Sequence, residues 1–190
     1  MIVIRQTQKL LHHIGLRVPE RDAPSDSALG DWYAAPLFVG RQRYAILASE
    51  RSLLSVVLPL KESRTLVERW RARVAERLDR LGVEPAHRDA ELGAMADVVI
   101  ARAASRRTLG AMNELVRHAR WECEDAGEVD AEGIEYRLDT LIYGTIDNEY
   151  PADVARLLIE QRYGDARMPR PVYLLKVALA VARVREVDAV

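Results

Sequence analysis

The chain of 190 residues suits one domain with a core that closes without disulfides or metals, and 49% apolar with 30% charged residues excludes a disordered protein. A formal net charge of −1 excludes a global field that would draw the molecule onto nucleic acid or an acidic membrane, so any anion site is local. Cys123 is the only cysteine, which excludes an intramolecular disulfide and a cysteine-rich zinc site and suits a reducing compartment.

The first residues, Met1 to Gln6, turn polar too soon for a signal peptide. No apolar run approaches the roughly 20 residues of a membrane span, so the expected location is the cytoplasm. Ile2, Val3 and Ile4 predict a short buried strand. Thr7 is placed to cap a helix over residues 8–14, stopped by Gly15, with Leu10, Leu11 and Ile14 on one face. His12 and His13 read as its solvated side, because no neighbouring residue completes a metal site. Residues 19–30 read as loop. An antiparallel meander follows over residues 31–39, 43–49 and 53–58, with Pro36 predicting an edge or a bulge.

Ser63 or Thr65 starts an amphipathic helix whose buried stripe is Leu66, Trp70, Val74, Leu78 and Leu81, with Gly82 as its stop. Its arginines are interspersed with Glu68, Glu76 and Asp79, the pattern of a solvated, salt-bridged face. A short helix over residues 84–95 carries His87 and Glu91 four apart, a spacing that suits a surface pair. Residues 96–101 predict a strand, and residues 108–123 a helix buried through Leu109, Met112, Leu115, Val116 and Ala119. Beyond an acidic connector lie helices at residues 134–141 and from Pro151, where proline takes its favoured first position. A nearly apolar last helix, over residues 172–187, packs on the body or makes a subunit contact. Together these elements predict a single α+β domain, a mostly antiparallel sheet of about four or five strands covered by helices, with a helical C-terminal third. Residues 1–165 form the domain and 166–190 a helical extension.

Four ordered blocks carry a family resemblance. They are Met1, Ile2, Ile4, Arg5, Thr7, Lys9, Leu10 and Leu11; then Leu29 to Ala34 with Leu37 and Phe38; then Glu50 to Leu54; and last Ser105 to Glu114. The chain resembles a family of bacterial proteins with a domain of unknown function (domain of unknown function 6933). The resemblance covers roughly residues 1–158 and implies no particular activity. In the fourth block the family reads close to Asn-Arg-Ser-Val-Leu-Gly-Ser-Met-Asn-Asp. Here Arg107 and Ala111 replace both serines, so no serine nucleophile carries over, and Glu114 replaces the final Asp.

That last block is also the sharpest chemical feature. Arg102, Arg106 and Arg107 gather at a strand–loop–helix corner, where Ser105 or Thr108 caps the helix and free first-turn N–H groups favour an anion. Arg102, Ser105, Arg106, Thr108 and Asn113 are therefore candidate ligand-binding residues for a phosphate or carboxylate. The strand entry Asp31, Trp32 and Tyr33, with Glu50 and Arg51, lies near strand ends, and Asp31, Trp32, Glu50 and Arg51 are candidates to complete the site. Trp32 either stacks on a base or sugar or belongs to the core. Asp31 and Glu50 act as paired carboxylates only if the fold brings them together. The competing expectation is that the arginines pair with the chain's own acids, such as Asp31, Glu50 or Glu114.

No nucleophile elbow, phosphate-binding loop, dinucleotide glycine pattern or zinc-protease helix occurs, so neither cofactor nor metal is expected. The leading expectation is a non-catalytic protein that binds a small anionic ligand at this corner. The alternatives are an enzyme acting on a phosphorylated substrate with Asp31 or Glu50 as acid/base, and a protein-binding or homo-oligomeric module using the last helix. Nucleic acid and membrane are not expected as partners.

Overall fold

The computed structural model describes residues 1–14, 25–61, 65–126 and 129–164. The stop at Gly15, most of the loop after it, the helix start at Ser63 and the last helix over residues 172–187 lie outside these, as does the side chain of His13.

Five strands form one sheet: β1 (Ile2–Gln6), β2 (Trp32–Val39), β3 (Gln42–Ser49), β4 (Ser55–Pro59) and β5 (Val98–Arg102), in the order β4-β3-β2-β1-β5. The expected meander is present, with β2, β3 and β4 antiparallel. β1 lies parallel to both β2 and β5, so the sheet is mixed. Parallel neighbours need crossover connections, and helix α1 (Gln8–Ile14) lies in the first of them. Pro36 sits in a central strand, but β1 pairs with β2 only as far as Ala34, beyond which that side of β2 has no ladder partner among the described residues. The Ala34 carbonyl faces that side, accepting from the Thr7 N–H at 2.9 Å. By alternation the nitrogen of Pro36 faces it too, where no ladder bond is lost.

The helices are α2 (Leu66–Arg80), α3 (Pro85–Ala94), α4 (Arg106–Ala126), α5 (Ala131–Asp139) and α6 (Pro151–Tyr163). Side chains alternate across the sheet, so the row Ile4, Trp32, Ser49 and the row Arg5, Tyr33, Ala48 lie on opposite faces. On the first face Trp32 meets Trp70 of α2 edge-on, ring centroids 5.2 Å apart. On the second face Tyr33 meets the head of α4. Gly82, at φ +70, ends the α2 region as expected. α5 begins earlier than the expected residue 134, because the Asp130 carboxylate accepts from the Glu132 N–H at 3.1 Å and starts a turn inside the acidic connector.

Two acids expected on helix surfaces or not singled out are fully buried. Glu91 of α3 accepts from the Ala28 N–H (2.8 Å), the Leu29 N–H (3.1 Å), the Ser27 hydroxyl (2.5 Å) and the Tyr163 hydroxyl (2.8 Å). His87, its expected surface partner, faces Glu84 and Glu160 instead, at 3.6 and 3.4 Å. Glu135 of α5 accepts from the Val57 N–H of β4 at 2.8 Å and from Arg73 of α2 at 2.7 Å. Beside it, Arg77 of α2 pairs with Asp139 of α5. Part of the α2 face expected to be solvated is thus sealed against α5 around the edge of the sheet, and Arg77 is buried.

Candidate functional site

A mixed polar cluster occupies the second face of the sheet under the head of α4. Arg5 projects from β1, Tyr33 from β2, and Asp31 and Glu50 flank the β2–β3 pair. Ser105 and Thr108 come from the start of α4. Ser105 is the cap of that helix, its Oγ accepting from the Thr108 N–H at 3.2 Å, as the sequence led one to expect of either hydroxyl.

The contacts form one network. Arg5 Nε donates to Asp31 Oδ2 at 2.5 Å, and the Glu50 N–H donates to the Asp31 carbonyl at 2.7 Å. The Tyr33 hydroxyl donates to Glu50 Oε1 at 3.3 Å and accepts from the Ser105 N–H at 3.4 Å. The Thr108 hydroxyl lies 3.4 Å from the same Glu50 oxygen and 2.9 Å from Ser105 Oγ. The bonds onto Glu50, at 3.3 and 3.4 Å, are longer than the usual O–H···O spacing of about 2.8 Å.

Burial pushes the Glu50 carboxyl above its ordinary range, and the Asp31 charge adds to this; Arg5 and the Tyr33 and Thr108 hydroxyls oppose it. Burial and the Glu50 charge likewise push the Tyr33 hydroxyl up. Perturbed titrating groups of this kind concentrate at functional sites. Cys123 offers no competing nucleophile, since burial first, then Glu122 and Glu124, push its thiol up and keep it protonated.

Of the residues singled out in the sequence, Asp31, Glu50, Ser105 and Thr108 meet in this cluster. The three corner arginines splay. Arg102 reaches Gln8 of α1 at 3.2 Å, Arg107 reaches the Thr145 carbonyl at 2.6 Å, and Arg106 is exposed on the first turn of α4. Asn113 is exposed further along α4. Trp32 is wholly buried on the other face against Trp70, so the fold takes the core option for it.

Arg51 supports the cluster from below, its guanidinium donating to the Ala28 carbonyl at 2.8 Å. Its side chain crosses Gly30, where an added Cβ would stand 2.8 Å from Arg51 Cγ and Cδ at φ +74. Gly30→Ala is therefore expected to cost about 1–3 kcal/mol in a urea titration. A neutral result would mean that Arg51 swings away freely.

Sequence reasoning missed Arg5 as a site residue. Arg5 did carry a signal, a lone charge closing an apolar strand, which needs a partner. Tyr33, part of the strand entry singled out in the sequence, is in the cluster where its neighbour Trp32 is not. Among the described residues no group of three or more His, Cys, Asp or Glu can hold a metal, and no helix is long and apolar enough to cross a membrane.

Residues 3–154 match a family described as Domain of unknown function (DUF6933). No curated protein and no solved structure matches the chain.

Proposed function

The chain belongs to that family, whose description assigns no chemistry, and on its own residues we propose that it binds a small molecule carrying a phosphate or comparable anion at the head of α4. The observation that carries this reading is the state of Arg106, in the first turn of α4. Arg5 is occupied by Asp31, and Arg73, Arg77, Arg80, Arg88 and Arg137 each hold a carboxylate. Arg106 holds none among the described residues, while Arg102, on the opposite face of the sheet, reaches Gln8 and lies outside this site. Arg106 is exposed in the first turn of α4, next in sequence to the Ser105 cap, where first-turn N–H groups add to its attraction for an anion. The buried lone cysteine fits a reducing, cytoplasmic setting.

Thermal-shift measurements with inorganic phosphate, nucleotides and sugar phosphates test this. Ligand at about 100 times its dissociation constant stabilises by about 2.7 kcal/mol, a shift of several degrees. Arg106→Ala is expected to abolish the shift and leave the apo melting temperature nearly unchanged, since the side chain is exposed. A shift that survives this change, or none with any of these compounds, overturns the proposal.

Glu50 supports a second reading, an enzyme acting on a phosphorylated substrate. A half-buried carboxyl pushed above its ordinary range by burial and by the Asp31 charge is suited to proton transfer. Under this reading Glu50→Gln retains the thermal shift and loses turnover, whereas a purely binding protein turns nothing over in either form.

A further inference from the structure

The turn from β3 to β4 places a bulky residue where the backbone favours a small one. Leu53 sits at φ +59, in the left-handed region that glycine or asparagine ordinarily takes, and its side chain is buried. Such a residue stays there only where its surroundings hold it. Here the holders are Ser49, Ser52 and Ser55, all fully buried. The peptide that follows Leu53 is fixed at both ends. Its carbonyl accepts from the Ser55 hydroxyl at 2.8 Å, and its N–H, that of Leu54, donates to Ser52 Oγ at 3.2 Å. The Ser52 N–H donates to Ser49 Oγ at 3.0 Å, and the Leu53 N–H to the Ser49 carbonyl at 3.0 Å. The Ser49 and Ser52 hydroxyls then bond each other at 2.6 Å.

A hydroxyl buried this deeply costs free energy unless it is bonded, and a hairpin loop needs no buried serine to form. What the pair secures is the two residues enclosed between them, Glu50 and Arg51. These diverge. The Glu50 carboxylate lies against the Tyr33 and Thr108 hydroxyls under α4, and Arg51 crosses Gly30 to the Ala28 carbonyl.

We propose that Ser49 and Ser52 are positioning residues of the site, their contact fixing the turn that aims Glu50 at Tyr33 and Thr108 and Arg51 across Gly30. This deepens the reading of Glu50 as a proton-transfer group and rests on it. Both serines act through the backbone. Without the hydroxyl pair Leu53 relaxes out of the left-handed region, the loop rotates, and Glu50 swings toward solvent and away from Asp31.

Carboxyl-carbon NMR of Glu50 in the full chain reads this without a substrate, so its failure is separate from a failure to find turnover. In the native protein this carboxyl titrates above its ordinary range. Ser49→Ala is expected to bring it down to that range, since burial and the Asp31 charge no longer act on it. Ser52→Ala, which spares the bonds to the Ser49 hydroxyl and carbonyl from the backbone, is expected to move it the same way by less. Ser49→Thr keeps the hydroxyl and is expected to keep the raised titration. Val74→Ala, in the buried stripe of α2 on the other face, is expected to lower the urea midpoint with Glu50 unmoved. A Glu50 titration unchanged in both alanine variants of the serines, or moved as far by Val74→Ala, overturns the proposal.

Discussion

Glu91→Ala is expected to lower the unfolding free energy by about 3–5 kcal/mol, the range for removing one partner from a buried charged network. The carboxylate is fully buried in α3 and accepts two backbone N–H bonds and two hydroxyl bonds from segments distant in sequence. Alanine leaves the Ala28 N–H without its acceptor, while the Leu29 N–H keeps only the Ser27 hydroxyl at 3.1 Å. For a chain of this size such a loss lowers the melting temperature by roughly 10 °C or more. The damage is also directed. Residues 27–29 lead straight into Gly30 and Asp31, so amide exchange of that loop and of Asp31 is expected to accelerate more than that of β3 or β4. Glu91→Gln keeps acceptor capacity and is expected to cost about half as much. Loss below about 1 kcal/mol for Glu91→Ala would show that the loop holds itself in place without this anchor.

Glu91 also shows where sequence reasoning stops. Its helical neighbour four residues back is His87, and that spacing suggests a surface pair. The true partners are backbone donors more than 60 positions away, which no local pattern encodes. Periodicity made the meander and the buried stripe of α2 legible, because alternation and three-to-four spacing are local consequences of burial. Insertion of β1 between β2 and β5 was not legible, since strand order depends on how crossovers close in space. The corner illustrates both cases. Ser105 as a helix cap follows from local chemistry. The splaying of Arg102 away from Arg106 follows from strand alternation: Arg102 shares the face of Ile4 and Trp32, opposite to Tyr33. Asp31 and Glu50 meet because β2 and β3 pair in a register that puts Trp32 opposite Ser49, so the residues just outside that pair face each other.

Glu135→Ala is expected to cost about 3–5 kcal/mol, and its mechanism includes a dependence on pH. Removing this buried carboxylate leaves the Val57 N–H without an acceptor, takes from Arg73 one of its two acids at 2.7 Å, and takes from Arg77 an acid 3.7 Å away. Arg77 then relies on Asp139 alone among the described residues. Burial pushes the Asp139 carboxyl up to about 6, outweighing Arg77, which favours the charged form. A carboxyl raised on folding binds its proton more tightly in the native state than in the unfolded chain. Its contribution to stability is therefore fully present below its unfolded value near 4 and is lost as pH rises through about 6. That loss is about 2–3 kcal/mol across the window. Asp139→Asn is expected to flatten the stability profile between about pH 4 and 6, read from urea midpoints. In Glu135→Ala the Coulombic push of Glu135 on Asp139 is gone. The Asp139 carboxyl should then titrate lower, and the loss with rising pH should move to lower pH. An unchanged profile in Asp139→Asn would mean that the acid keeps its proton equilibrium on folding and that the α2–α5 clamp rests on Glu135 alone.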